Sequence, residues 1–198
     1  IAPSLIAFVI LASCGGKGAG HDTDAAVTRN ALPAAQWDHR PDGAKWTQAT
    51  LAALGGPGAG LLNVVPSDIA AFCPAYPRAG APDRAAFWVG MLSALSKHES
   101  TWRADAAGGG GRWIGLTQIA PGTAKAYGCT AQNAAQLKNG SPNLECAVRI
   151  ATAQVTRDVA LVSDGENWRG MALDWAPFRD PAKRADMADW TSRQSYCR

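Results

Sequence analysis

Read for the spacing of its apolar positions, the chain shows a helical period and no convincing alternation of period two. The strongest run is "PDRAAFWVGMLSALSKHES", where Trp88, Met91, Leu92 and Leu95 share one helical stripe and Asp83 stands where a helix cap would. Glu99 is the next member of that stripe. A second helix is predicted over "SPNLECAVRIATAQVTRDVAL". Ser141 suits its N-cap and Pro142 its first helical position, while Leu144, Val148, Ala151, Val155 and Val159 line one face. "WTQATLAAL" predicts a short helix ended by "GGPGAG", and Pro66 with Ser67 opens another around "SDIAAFC". "GMALDWAPFR" and "DPAKRADMADWTSRQSYC" supply two more. The expected fold class is mainly α.

Composition narrows this to one core with generous loops. A chain of 198 residues, 47% hydrophobic and 18% charged, can bury a single well-formed core, and 21 glycines with 12 prolines imply long connections. Nineteen basic against sixteen acidic residues leave a net charge of +3, and the basic residues are scattered. That mild excess suits an anionic wall polymer but lacks the basic stripe of a nucleic-acid-binding protein, so no nucleic-acid partner is expected.

The opening "IAPSLIAFVILASCGG" holds an apolar run from Leu5 to Leu11, too short to span a bilayer and shaped like the core of a secretory signal. The chain opens on Ile1 rather than Met, so the start is expected upstream. "LASC" resembles the lipobox of bacterial lipoproteins, which implies that Cys14 is lipidated and becomes the mature N-terminus; the alternative is an ordinary signal cut within "ASCGGKGAG". Five cysteines leave one over in an exporting context, and lipid on Cys14 accounts for it. The remaining four, Cys73, Cys129, Cys146 and Cys197, allow three pairings. Cys129 with Cys146 and Cys73 with Cys197 is favoured, the first closing a loop and the second tying down the C-terminus. Metal binding is the weaker use, since no CxxC occurs and the histidines lie far apart. No metal or cofactor is expected. The organisation read from this is a signal segment over 1–13, a lipid-anchored flexible tether over 14–45, and a helical domain over 46–198.

Glu99 is the residue that carries chemistry. An exposed glutamate, with a pKa near 4.3, is ionised at neutral pH and donates no proton usefully. Placed on an apolar stripe at the C-terminal end of a helix, its charged form is disfavoured by desolvation and by the helix dipole. A rise of about two pKa units, worth about 2.7 kcal/mol, makes it a general acid near neutrality. The plainer reading is a surface glutamate paired with Lys97 or Arg103.

A family resemblance bears on that choice. "HESTW", followed by "GLTQIAPGTA", is similar to the signature of soluble-type lytic transglycosylases, with "SPNLECAVRIA" and "MALDWAPFR" in register with later family segments. The resemblance covers roughly Asp83 to Arg179. It implies a lysozyme-like, mostly helical fold with long loops that cleaves the β-1,4 bond between N-acetylmuramic acid and N-acetylglucosamine in peptidoglycan, leaving a 1,6-anhydromuramic end. Glu99 is then the acid that protonates the glycosidic oxygen and the base that deprotonates the C6 hydroxyl. Ser100 supports the site, Gln118 hydrogen-bonds the saccharide, and Gly115 and Leu116 shape the groove wall. The implied partner is the peptidoglycan strand, with the membrane touched only through the lipid. The implied location is the periplasmic face of the bacterial envelope, with Gly15 after the cysteine leaning to the outer membrane.

The sequence also departs from that pattern. A serine often found in the family's connecting loop has no counterpart among Gly108 to Gly111, and the glycine run is expected to give "GLTQI" freedom to close over a glycan. Asp174 falls where the family has a tyrosine contacting the catalytic glutamate, with Trp175 beside it, or in that place if the register moves by one. A two-carboxylate hydrolase needs a second acid, for which Asp105 and Asp174 are the candidates. Trp102, Trp113 and Trp175 could stack on sugars or simply pack. "GGGGR" lacks the Lys-Ser/Thr of a phosphate loop, and "HES" is not the HExxH of a zinc protease. The rivals are a lysozyme-type muramidase and a catalytically weak peptidoglycan-binding lipoprotein.

Overall fold

The computed structural model describes Ile1 and residues 32–198. The expected signal segment, Cys14 and the first part of the tether lie outside the described residues. The folded unit begins at Leu32, well before the expected boundary at 46. Trp37 is completely buried, meets Trp46 edge-on at 5.9 Å and donates from Nε1 to Thr47 Oγ1 at 2.8 Å. A lone tryptophan filling a pocket leaves no periodic trace, which is why this stretch reads as linker.

Among the described residues there are six α-helices: α1 (Gly43–Gly55), α2 (Ala81–Ser100), α3 (Pro121–Ala126), α4 (Ala134–Leu137), α5 (Gly140–Asp158) and α6 (Pro181–Ser192). Short 3₁₀ turns connect them. The fold is mainly helical, as expected, and among the described residues no helix is long and apolar enough to cross a membrane. Helix α2 is the centre. Every residue from Ala85 to Ser96 is buried, not only the expected stripe, because α1, α6 and the 3₁₀ turns at Ala59–Asn63, Tyr76–Arg78, Ala176–Phe178 and Ser195–Cys197 pack around it. The buried hydroxyls of Ser93 and Ser96 are satisfied within the helix, bonding to Gly90 O and Leu92 O. Helix α5 packs on α1.

Several local expectations shift. Helix α2 starts at Ala81 with Gly80 at the N-cap and Pro82 in the first turn, so Asp83 acts on the helix dipole rather than as the cap. Helix α5 starts at Gly140, and it is Asn139 whose side chain caps, accepting from Ser141 N at 3.3 Å. Val159 leaves the apolar face, taking a left-handed backbone just past α5 with its side chain exposed. "SDIAAFC" forms only the 3₁₀ turn Ile69–Ala71. "GMALDWAPFR" forms two turns, Gly170–Leu173 and Ala176–Phe178, with Trp175 extended between them. Pro177 has no N–H with which to continue an α-helix.

The glycine run is part of a hairpin. Strand β1 (Ala107–Gly108) pairs antiparallel with β2 (Trp113–Ile114), and Gly109, Gly110 and Gly111 all take the left-handed backbone that closes the turn.

Both favoured disulfides form, Cys73 with Cys197 and Cys129 with Cys146. The first joins positions 124 residues apart and holds the C-terminal turn on the core, where Thr191 Oγ1 also donates to Phe72 O at 2.8 Å. The second spans 17 residues, for which chain entropy predicts about 3 kcal/mol of stabilisation. A Cys129→Ala/Cys146→Ala variant should therefore melt about 6–12 °C below the parent in a calorimetric scan. An unchanged melting temperature would mean that this loop is already constrained without its cross-link.

Candidate active site

Helix α2 carries Glu99 out of the core in its last turn. Two successive non-glycine residues in the left-handed region, Thr101 (φ 53°) and Trp102 (φ 52°), end the helix, their N–H groups folding back on the carbonyls of Lys97 and Ser96. Such a backbone is costly for a β-branched residue and persists only where its surroundings enforce it. Here Trp102 donates from Nε1 to Ser93 O at 2.9 Å and packs edge-on against His39. Lys97 and His98 turn the other way, both bonding to Asp186 of α6 at 2.8 and 2.9 Å. Arg103 bonds to Ser100 O. Glu99 is thus paired with neither Lys97 nor Arg103.

Its carboxyl faces a cleft of about 270 Å³ lined also by Trp113, Gln118, Asp174, Trp175 and Arg179. The groove runs on past Trp113, Gln118, Asp174 and Trp175 to Ile119, Thr123 and Ile150. Burial raises the Glu99 pKa from 4.5 to about 7, against the opposing pull of Lys183 and Arg179.

The opposite wall is the "GLTQ" turn. Gly115 has φ 83°, and a Cβ there would strike Asn143 Nδ2 and Leu137 O, so glycine is required twice over. Asn143, completely buried on α5, donates to Ile114 O (2.9 Å) and Leu137 O (3.1 Å) and accepts from Thr117 N (3.0 Å) and Thr117 Oγ1 (2.8 Å). Its hydrogen-bonding capacity is filled. Ser100 Oγ donates to Leu116 O at 2.8 Å, and Trp175 Nε1 to Thr117 O at 2.8 Å. Gln118 has φ 52° and donates from Nε2 to Gly115 O at 2.8 Å. The segment expected to swing over a glycan is therefore fastened on several sides.

Of the residues singled out from the sequence, Glu99, Gln118, Asp174 and Trp175 meet in the cleft. Ser100, Gly115 and Leu116 do not line it. Ser100 and Leu116 are buried, and all three act by fixing the turn. Asp105 is exposed in a separate cleft with Arg40, Trp102 and Lys138, which removes it as a partner for Glu99. Of the three tryptophans, Trp113 is the exposed one, 44% exposed at the cleft with Arg112 over its ring. Trp175 is only 3% exposed and Trp102 lies elsewhere.

Asp174 Oδ2 accepts from Gln154 Nε2 at 2.5 Å and from the Tyr127 hydroxyl at 3.4 Å. Burial and the neighbouring Asp174 carboxylate raise the Tyr127 pKa. A tyrosine does reach this site, but from the end of α3 and toward Asp174. Sequence reasoning missed Asn143, Gln154 and Arg179. The first two left a signal, since both are polar residues inside the apolar stripe of α5. Arg179 left none. Among the described residues, no cluster of His, Cys, Asp and Glu is gathered to hold a metal.

No family model and no curated protein matches the chain. Among solved structures, the Bdellovibrio protein Bd0314 DslA matches in its wild-type form and in two variants, each with a different glutamate replaced by glutamine. Each alignment has 28% identity and a TM-score of 0.75, and covers 85% of this chain and 100% of that one.

The raised Glu99 pKa makes a stability prediction. The unfolded chain loses this proton near 4.5 and the folded protein near 7, so the stability that the neutral carboxyl confers is whole below about pH 4.5 and is lost as pH rises through about 7. Glu99→Gln should match the parent in urea titrations at about pH 4 and exceed it at about pH 8 by up to about 3 kcal/mol. Equal stability at both pH values would show an ordinary solvated carboxylate.

Proposed function

We propose that this protein is a peptidoglycan lytic transglycosylase that uses Glu99 first as acid and then as base. The observation that carries the reading is a single glutamate on the rim of a buried helix, facing a groove, with a pKa near neutrality and no cation paired to it among the described residues. Neutral Glu99 gives its proton to the glycosidic oxygen as the C1–O bond breaks, and the leaving sugar departs as an alcohol. The carboxylate so formed takes the proton of the muramic C6 hydroxyl, whose oxygen attacks C1 and closes the 1,6-anhydro ring. Glu99 ends protonated, ready for another cycle, and no water is consumed. Gln118 and Trp113 hold the glycan, the first through its carboxamide and the second through its exposed ring.

A muramidase of the same fold is the second reading, and Asp174 favours it. This carboxylate shares the cleft with Glu99 and is oriented by Gln154 and Tyr127, as a residue that positions water would be. The products separate the two. Digestion of purified peptidoglycan in ¹⁸O-labelled water should release anhydro-ended fragments without label, and Glu99→Gln should bind the polymer yet lose about 10²- to 10⁴-fold in turnover. Label at the new reducing ends would make the enzyme a hydrolase with Asp174 as its second carboxylate. Near-normal activity of Glu99→Gln would remove Glu99 from catalysis altogether.

The proposed setting is the periplasmic face of the bacterial envelope, with lipid on Cys14 as the anchor. Several acyl chains hold a protein where one would not, at about 0.8 kcal/mol per buried methylene. Precursor expressed in bacteria should fractionate with membranes and carry lipid mass on Cys14, and Cys14→Ser should do neither. Identical fractionation of the two, with Cys14 unmodified, would leave only a conventional secretory signal.

A further inference from the structure

The groove is charged unequally along its length. At the Glu99 end Arg179 lines the wall, anchored through Nη1 to the carbonyl of Ala172. Among the described residues its Nε and Nη2 groups donate to no protein acceptor. Lys183, in the first turn of α6, is exposed and near enough for its charge to act on Glu99, and among the described residues its ammonium makes no ion pair. The nearby Asp180 carboxylate caps α6 through the N–H groups of Ala182 and Lys183. Among the described residues no lysine or arginine lines the continuation of the groove toward Thr123 and Ile150; Asp174 lines both parts and lies between them, with Arg157 reaching only its partner Gln154.

A glycan that carries a carboxylate on every second sugar fits such a groove in two ways, displaced by one sugar. In one, the carboxylate meets the free guanidinium N–H groups of Arg179, a fork that matches carboxylate geometry. In the other it lies beyond Asp174, a like charge, where no guanidinium or ammonium lines the groove among the described residues. We propose that Arg179 and Lys183 bind the carboxylate borne by the muramic sugar at the Glu99 end, and so set which bond of the alternating strand lies at the acid. The inference rests on the glycan-cleaving reading above. That carboxylate has two sources. It is the lactyl group of a sugar whose peptide an amide-hydrolysing reaction has removed, or it is an acid of the attached peptide.

Isothermal titration of the Glu99→Gln protein, which binds without turnover, tests this with three tetrasaccharides of alternating N-acetylglucosamine and N-acetylmuramic acid. One has free lactyl carboxylates, one has them converted to amides, and one carries an alanyl-isoglutamate dipeptide. At low salt at least one acidic ligand should bind about five- to tenfold more tightly than the amide, and which one does so identifies the source. The preference should shrink with added salt and vanish when Arg179→Gln and Lys183→Gln are introduced together, while Arg179→Lys retains part of it. Equal binding of all three ligands, or a preference that survives the double substitution, overturns the inference and leaves the glycan reading intact. Binding of none, with a native circular dichroism spectrum, overturns both.

Discussion

The buried carboxamide of Asn143 holds together the parts that make the cleft. It is one of four separate claims on the carbonyls of Ile114 to Thr117: Asn143 from α5 takes Ile114 O, the Gln118 side chain takes Gly115 O, Ser100 from α2 takes Leu116 O, and Trp175 takes Thr117 O. Ile114 O and Gly115 O also accept from the N–H groups of Ile119 and Gln118, whereas Leu116 O and Thr117 O depend on Ser100 and Trp175 among the described residues, and leaving either unpaired would cost about 1–3 kcal/mol. The turn therefore adopts the single shape in which all four are met. Since α5 packs on α1 and on the Gly170–Leu173 turn, the two walls of the groove are joined through the core rather than through a loop.

Glu99 owes its chemistry to the same arrangement. With Lys97 and His98 drawn to Asp186, and with the helix ended abruptly at Thr101, the carboxyl is left partly buried without a paired cation among the described residues. Burial disfavours its charge, while Arg179 and Lys183 favour it from farther away. The two effects leave a group that is both a usable acid and a usable base near neutral pH. A closer cation would keep it ionised, and deeper burial would keep it neutral.

Of the four non-glycine residues with positive φ among the described residues, Thr101, Trp102 and Gln118 belong to the two segments that flank Glu99. Each is held by hydrogen bonds, Thr101 and Trp102 to the last turn of α2 and Gln118 to Gly115 O. Around the cleft the strain lies where α2 must stop and where a side chain must face the groove, while Val159 carries the same backbone at the end of α5. Backbone energy stored there preorganises a site that would otherwise need ordering on binding.

The mainly helical class, the two long helices, both cross-links and the position of Glu99 at the end of an apolar run were legible in the chain itself. Each depends on local spacing or on a small number of cysteines, and local spacing survives folding. The same reading drew the domain boundary too late, at 46, because Trp37 is buried by contacts distant in sequence. It set Gly115 and Leu116 in the groove wall, whereas they sit behind it in the turn that Ser100 helps to fasten, since adjacency in a motif does not say which way a side chain points. Only the tertiary structure separated Asp174, which shares the cleft, from Asp105, which does not, and only it brought Arg179 and Lys183 near the carboxyl of Glu99. A pKa depends on what lies within a few ångströms in space. The sequence offered Glu99 as a candidate acid, and the packing of α2 against segments more than eighty residues away decided its surroundings.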